Sequence, residues 1–207
     1  MRLQRYDFIG KFADCMDWIR AIEIFAVVSG IIYILLEIGQ KNVMWMLGIL
    51  TSAACAFSFF SQSLWASMGL NLYYVAVSVL GLVRWRRDGA RLEEGTIHLT
   101  KLPKRTAIVS AVLFVAGSLG AAAILRSTGD GAPLLDAIVT VLGIIGTWWL
   151  TRSYPEQWMI WIVANLLSVL LCVRTGLFWM AALYLGYAVS AVYGYFHWMN
   201  KGQYIEP

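Results

Sequence analysis

Seven apolar runs follow one another along the chain, separated by short polar or turn-forming stretches such as 39–42, 61–63 and 153–156. Most of the runs have the length that an α-helix needs to cross a bilayer. Since backbone amides in lipid must be paired within their own segment, and the period-two alternation of a membrane β-barrel is missing, each run predicts a transmembrane helix. The runs cover residues 22–36, 43–60, 64–83, 106–125, 134–150, 158–173 and 177–199.

The second half of the chain repeats the first. Residues 22–85 align without a gap with residues 135–198, and although the overall identity is low, it is concentrated in residue types where chance matches are rare. The identical pairs include Gly30 with Gly143, Trp45 with Trp158, Tyr74 with Tyr187, Gly81 with Gly194, and Trp85 with Trp198. Helices one to three therefore match helices five to seven, and the fourth is a linker.

This arrangement predicts an all-α membrane protein with a 3+1+3 parallel duplication around a central path. A three-helix unit ends on the opposite side of the membrane from its start, and one further crossing restores the orientation for the second unit. The predicted parts are an interfacial N-terminal segment (1–21), a first three-helix repeat (22–85), a basic loop with the linker helix (86–133), a second three-helix repeat (134–199) and a tail (200–207).

Composition supports a membrane protein over a soluble one. The 207 residues are 60% hydrophobic and only 14% charged, with a mean hydropathy of +0.68. The densest group of Lys and Arg lies in 84–105, which the positive-inside rule assigns to the cytoplasm. We therefore expect a multi-pass membrane protein with its N-terminus outside and its C-terminus and tail in the cytoplasm. Topology and anionic lipid headgroups account for the net charge of +4, so no nucleic-acid partner is expected.

Motifs for catalysis or metal binding are missing from the sequence. The two histidines are far apart, no hydrolase, zinc or phosphate-binding motif occurs, and Cys15, Cys55 and Cys172 show no paired spacing. We expect neither an enzyme nor a metal, cofactor or disulfide. Carboxylates in the apolar runs lie near helix ends, which favours facilitated diffusion over ion-coupled transport.

The deep polar groups are amides and phenols, and they recur at helical spacing. Trp158, Trp161 and Asn165 follow the i, i+3, i+7 pattern of one helix face, directly after Gln157. Aromatic rings stack on flat heterocycles and attract delocalised cations, while amides bind hydroxyl and carboxamide groups. The predicted substrate-binding residues are Trp158, Trp161, Asn165, Asn71, Tyr74, Tyr184, Tyr187, Ser52, Trp45 and Gln157. The Trp residues closest to helix ends are instead expected in interfacial belts: Trp18, Trp65, Trp85, Trp148, Trp149, Trp179 and Trp198.

The segment QWMIWIVAN (157–165), the segment NLYY (71–74) and the ending YGYFHW (193–198) resemble the PnuC family of bacterial vitamin transporters. The resemblance implies uptake of nicotinamide riboside across the bacterial inner membrane by facilitated diffusion, with a cytoplasmic kinase that traps the substrate by phosphorylation. It also implies an architecture like that of the SWEET sugar facilitators. Trp158, Trp161 and Asn165 match the family's sixth-helix motif, and Asn71 with Tyr74 matches the third-helix motif.

Two alternatives and the oligomeric state stay open from the sequence. Thiamine, riboflavin or another flat-heterocycle vitamin would suit the same side chains, and a non-transporting membrane receptor or scaffold would bind a ligand without moving it. A homo-oligomer is compatible with everything above.

Overall fold

The computed structural model describes residues 28–61, 65–90, 95–127, 132–174 and 176–205. Within these ranges the chain forms seven α-helices and one pair of short β-strands. The elements are α1 (Val28–Ile38), α2 (Val43–Ser61), α3 (Trp65–Gly89), β1 (Ile97–Leu99), α4 (Lys104–Ser127), α5 (Pro133–Leu150), α6 (Gln157–Arg174), α7 (Phe178–Lys201) and β2 (Gly202–Tyr204). The predicted interfacial segment, 1–21, lies outside the described residues.

The chain divides into two compact units, Met1–Leu35 and Leu36–Pro207. In the first unit, the described residues are the opening turns of α1, which expose Val28, Ile31 and Ile32. Every contact reported below lies within the second unit.

At the ends that the structure describes, the helices agree with the predicted runs within about two residues, except at the end of α3. By length and composition, α4, α5, α6 and the part of α3 from Met68 could each cross a membrane, and the described parts of α1 and α2 are shorter apolar helices. Helix α3 continues six residues past the predicted end at 83, because the arginines that follow are good helix formers. The basic loop is correspondingly shorter, and it contains β1, which the hydropathy pattern did not predict.

Helix α4 presents an almost wholly apolar outer surface. Only Ser118 and Ala122 are buried among its 24 residues, while Ile108, Val112 and Leu119 are each more than 60% exposed. Gly117 brings α4 against α5, where a Cβ on this glycine would lie 3.4 Å from Val141 Cγ2. Exposed apolar side chains on this scale are the surface that lipid covers.

Four indoles form an aromatic core at one end of the helices. The ring centroids of Trp45 and Trp85 lie 5.1 Å apart, those of Trp85 and Trp198 lie 6.2 Å apart, and those of Trp198 and Trp158 lie 5.4 Å apart. All four side chains are essentially inaccessible. The prediction that Trp85 and Trp198 belong to an interfacial belt is therefore wrong, whereas Trp179, which is 91% exposed, agrees with it.

The packing of this core repeats itself along the chain. The ring of Trp45 lies on Gly81, where a Cβ would come within 2.5 Å of Trp45 Cε2, and the ring of Trp158 lies on Gly194, where a Cβ would come within 2.6 Å of Trp158 Cη2. Trp85 Nε1 donates to the Leu150 carbonyl at the end of α5 (3.2 Å). Correspondingly, Trp198 Nε1 donates to the Ile38 carbonyl at the end of α1 (3.0 Å).

The turns after α1 and α5 meet at the same end. Gln40 and Ser153, 113 positions apart, both have left-handed backbones (φ 49° and 54°), and Gln40 Nε2 donates to Ser153 Oγ (3.2 Å). The Gln40 amide also donates to the His98 carbonyl (2.9 Å) and accepts from the His98 N–H (2.7 Å). Strand β1 is thereby held against both turns.

Strand β1 pairs in parallel with β2, at the end of α7, with Ile97 opposite Gly202 and Leu99 opposite Tyr204. The Thr100 N–H donates to the Ser153 carbonyl (3.1 Å), and the Ile205 N–H donates to the Leu99 carbonyl (2.9 Å). The loop after α3 and the segment after α7 therefore lie on the same side of the helices.

Candidate functional site

Trp161 lies between α6 and α5. A Cβ on Gly146 of α5 would sit 3.3 Å from Trp161 Cε2, so the glycine makes room for the indole. The indole N–H of Trp161 is buried and has no hydrogen-bond partner among the described residues. A buried donor without a partner costs roughly 1–3 kcal/mol, which a ligand acceptor would offset. This group is the strongest candidate for a substrate contact.

Asn165 follows one turn later on α6, on the same side as Trp161, and is only 8% exposed. A buried carboxamide carries two donors and an acceptor that need partners. Together, Trp161 and Asn165 give this stretch of α6 both stacking and hydrogen-bonding capacity.

The third-helix residues approach the same part of α5. A Cβ on Gly143, one turn before Gly146, would lie 3.8 Å from the Tyr74 hydroxyl. The neighbouring Tyr73 hydroxyl donates to the Ile144 carbonyl (2.9 Å) and so fixes α3 on α5. The structure thus brings Tyr74 and Trp161 to successive turns of one helix, with Asn71 half-buried a turn before Tyr74.

The predicted residues on α7 and α2 have no described contact with Trp161. The rings of Tyr184 and Tyr187 are half-buried and meet edge to face, with centroids 6.2 Å apart. Ser52 is half-buried on α2. The contacts described above do not connect these three side chains to Trp161, so their participation stays a prediction.

Trp158, Trp45 and Gln157 are enclosed by protein rather than lining an open path. Trp158 packs on α7 through Gly194, while Trp161 packs on α5, so the two indoles of the motif contact different helices. The indole N–H groups of Trp45 and Trp158 are buried without partners among the described residues. The Gln157 amide is also buried and lies beside a carboxyl group at the end of α1. These groups form a second polar cluster beside the aromatic core.

Sequence reasoning did not single out Glu37, whose carboxyl lies beside the Gln157 amide and is 5% exposed. In the sequence, Glu37 is an acidic residue in the last turn of an apolar helix, and we interpreted it only as a polar residue at a helix end. Among the described residues, no group of three His, Cys, Asp or Glu side chains could hold a metal ion. Within the described residues, neither Cys55 nor Cys172 forms a disulfide.

Comparison with known proteins identifies the family. A family model described as nicotinamide mononucleotide transporter matches residues 20–200. The chain belongs to this transporter family. Curated relatives carry the name nicotinamide riboside transporter PnuC, which confirms the resemblance to the PnuC family that the motifs indicated.

These relatives match the chain over most of its length. The protein from Escherichia coli is 24% identical over 219 residues, which cover 94% of this chain and 90% of the relative. The protein from Neisseria mucosa is 27% identical over 200 residues, which cover 88% and 72%. A crystal structure of the vitamin B3 transporter PnuC superposes with a TM-score of 0.63 at 26% identity, covering 84% of this chain and 79% of the other.

Family membership and the apolar helices establish an all-α, multi-pass membrane transporter. The prediction that the protein is a transporter rather than an enzyme is confirmed by the family.

Proposed function

We propose that this PnuC protein carries nicotinamide riboside across the bacterial inner membrane into the cytoplasm by facilitated diffusion. The observation that carries the proposal is that relatives named as nicotinamide riboside transporters align with 94% of the chain. The substrate offers a flat cationic ring, a carboxamide and ribose hydroxyls. The Trp161 indole and the Asn165 amide have the chemistry to bind those groups.

We further propose the 3+1+3 parallel duplication related to the SWEET facilitators, with α4 as the linker between repeats 22–85 and 134–199. The paired contacts support it. Trp45 lies on Gly81 as Trp158 lies on Gly194, and residues one repeat apart meet directly at Gln40 and Ser153. Such contacts are expected where two copies of one unit face each other across an axis along the membrane normal.

In this proposal the aromatic end faces the cytoplasm. Arg84, Arg86 and Arg87 lie at that end of α3, and β2 ties the C-terminal segment to the same side, in keeping with the positive-inside rule. The N-terminus is then outside. Riboside that arrives inside is trapped when a cytoplasmic kinase adds a phosphate, which keeps the inward gradient without coupling to an ion.

The test is uptake by liposomes that contain the purified protein. Labelled nicotinamide riboside is expected to equilibrate into protein-containing vesicles faster than into empty ones, and to accumulate when a riboside kinase and ATP are enclosed. Binding without entry would favour a receptor or scaffold. Titration of nicotinamide riboside, thiamine and riboflavin side by side measures the substrate choice, and tighter binding of thiamine would replace the proposed substrate. The elution volume of the detergent-solubilised protein, measured with light scattering, gives its oligomeric state.

A further inference from the structure

A cavity of about 600 Å³ opens at the end that carries β1 and β2, away from Trp161 and Asn165. Helix α3, the segment after β1, the turn after α5 and the segment after β2 all line it. Its charged residues are Arg84, Arg87, Lys101, Arg152 and Asp88. A volume of this size is typical of sites for small organic ligands.

The charge of this cavity is only partly compensated. Arg87 Nε pairs with Asp88 Oδ1 at 3.0 Å. In the part of the chain that the structure describes, no carboxylate lies within salt-bridge distance of Arg84 or Arg152, and these two guanidinium groups repel each other. Lys101 Nζ lies 5.8 Å from the Tyr204 ring centroid, at the rim. Arg84, Arg152 and Lys101 therefore converge on one space that is lined by a single carboxylate, Asp88, which is already paired with Arg87.

Arg152 is oriented for an acceptor. Its guanidinium lies over the Trp148 ring at 4.6 Å, which fixes the plane of the group. Its Nε is buried and has no hydrogen-bond partner among the described residues. A stacked guanidinium with free N–H groups along its edge matches the geometry of a phosphate, which accepts two parallel hydrogen bonds.

We propose that this cavity binds a phosphate group through Arg84, Arg152 and Lys101. The phosphate belongs either to a soluble phosphate ester or to the headgroup of an anionic phospholipid. An adjoining cavity of about 300 Å³ shares Arg84 and Arg152 and continues along Leu80 and Val83, which suits an acyl chain. The shared chemistry is a phosphate held by arginine, and the proposal does not depend on which nucleoside is transported.

The test compares wild-type protein with Arg84→Gln and Arg152→Gln in nanodiscs. In discs of phosphatidylcholine alone, calorimetry measures binding of inorganic phosphate and of nicotinamide mononucleotide. In discs that also contain phosphatidylglycerol, native mass spectrometry measures the lipid retained by the protein. Lys104→Gln is the matched control, because Lys104 is an exposed cation near the same face that does not line the cavity.

We expect each cavity substitution to weaken phosphate binding or lipid retention at least tenfold, and Lys104→Gln to change it less than twofold. If the cavity substitutions weaken binding in the phosphatidylcholine discs, the ligand is a soluble phosphate ester. If they reduce lipid retention in the discs with phosphatidylglycerol, the ligand is a lipid headgroup. Arg152→Lys keeps the charge but loses the planar fork, so it should fall between wild type and Arg152→Gln. The proposal is overturned if neither phosphate source distinguishes the cavity variants from wild type, or if Lys104→Gln loses as much. Titration of nicotinamide riboside in the same discs tests the proposed transport substrate separately, because that ligand carries no phosphate.

Discussion

Replacing Gly194 with alanine should destabilise the protein by wedging a methyl group into the aromatic core. The new Cβ would lie 2.6 Å from Trp158 Cη2, whereas ordinary van der Waals contact begins at 3.4 Å, so the indole would have to retreat about 0.8 Å. Trp158 is fully buried and meets Trp198 edge to face, so it has no free space behind it. Overpacking of this kind costs roughly 1–3 kcal/mol, and the better helix propensity of alanine returns about 0.5–1 kcal/mol.

At the middle of both ranges, the expected net loss is therefore about 1 kcal/mol. For a chain of this length, that loss corresponds to a melting temperature lower by about 2–4 °C, measured by fluorescence-detected unfolding in detergent. Gly186→Ala is the matched control, since Gly186 also lies in α7 and a Cβ there meets nothing within 4 Å. It should melt at or slightly above the wild-type temperature. If Gly194→Ala and Gly186→Ala melt together, the ring of Trp158 is not held as described and the packing argument fails.

Three further outcomes are expected. Trp161→Ala and Asn165→Ala should each weaken riboside binding at least tenfold, about 1.4 kcal/mol, with normal expression; calorimetry that finds wild-type affinity in both would remove them from the site. Ionophores that collapse proton and sodium gradients should leave the initial uptake rate into liposomes unchanged, and a rate abolished by either would reveal ion coupling. Burial lowers the pKa of His98 to about 4, so the folded state binds fewer protons than the unfolded state between that pKa and about 6.5; the melting temperature should fall as the pH drops from 7 to 5, and His98→Gln should flatten this slope. An unchanged slope in His98→Gln would assign the pH dependence to another group.

The helices could be predicted because the lipid environment imposes a simple physical requirement. Each span must be apolar and must pair its own backbone, so hydropathy alone locates α2 to α7 within a few residues. The strands β1 and β2 could not be found in this way. They are three residues long and lie outside lipid, and their stability comes from Gln40, Ser153 and each other rather than from a local pattern.

The sequence proposes the residue types of the candidate site but not their packing. Helical spacing places Trp158, Trp161 and Asn165 on one side of α6, yet Trp158 packs against α7 and Trp161 against α5. The difference arises because a three-residue step turns the second side chain about 60° away, enough to reach another neighbour. Which neighbour accepts a large ring depends on where a glycine stands on the facing helix, as at Gly146 and Gly194.

The pairing of β1 with β2 sets an order for biogenesis. Strand β1 is synthesised about a hundred residues before β2, so His98 and Leu99 have no strand to pair with until α7 has been inserted. Only then can β2 pair with both residues, whereas Gln40 and the turn after α5, which hold β1 through His98 and Thr100, are synthesised earlier. A nascent chain halted before Gly202 would contain all the sequence for its helices but would lack β2. A protease added at that stage should cleave within the unpaired strand β1.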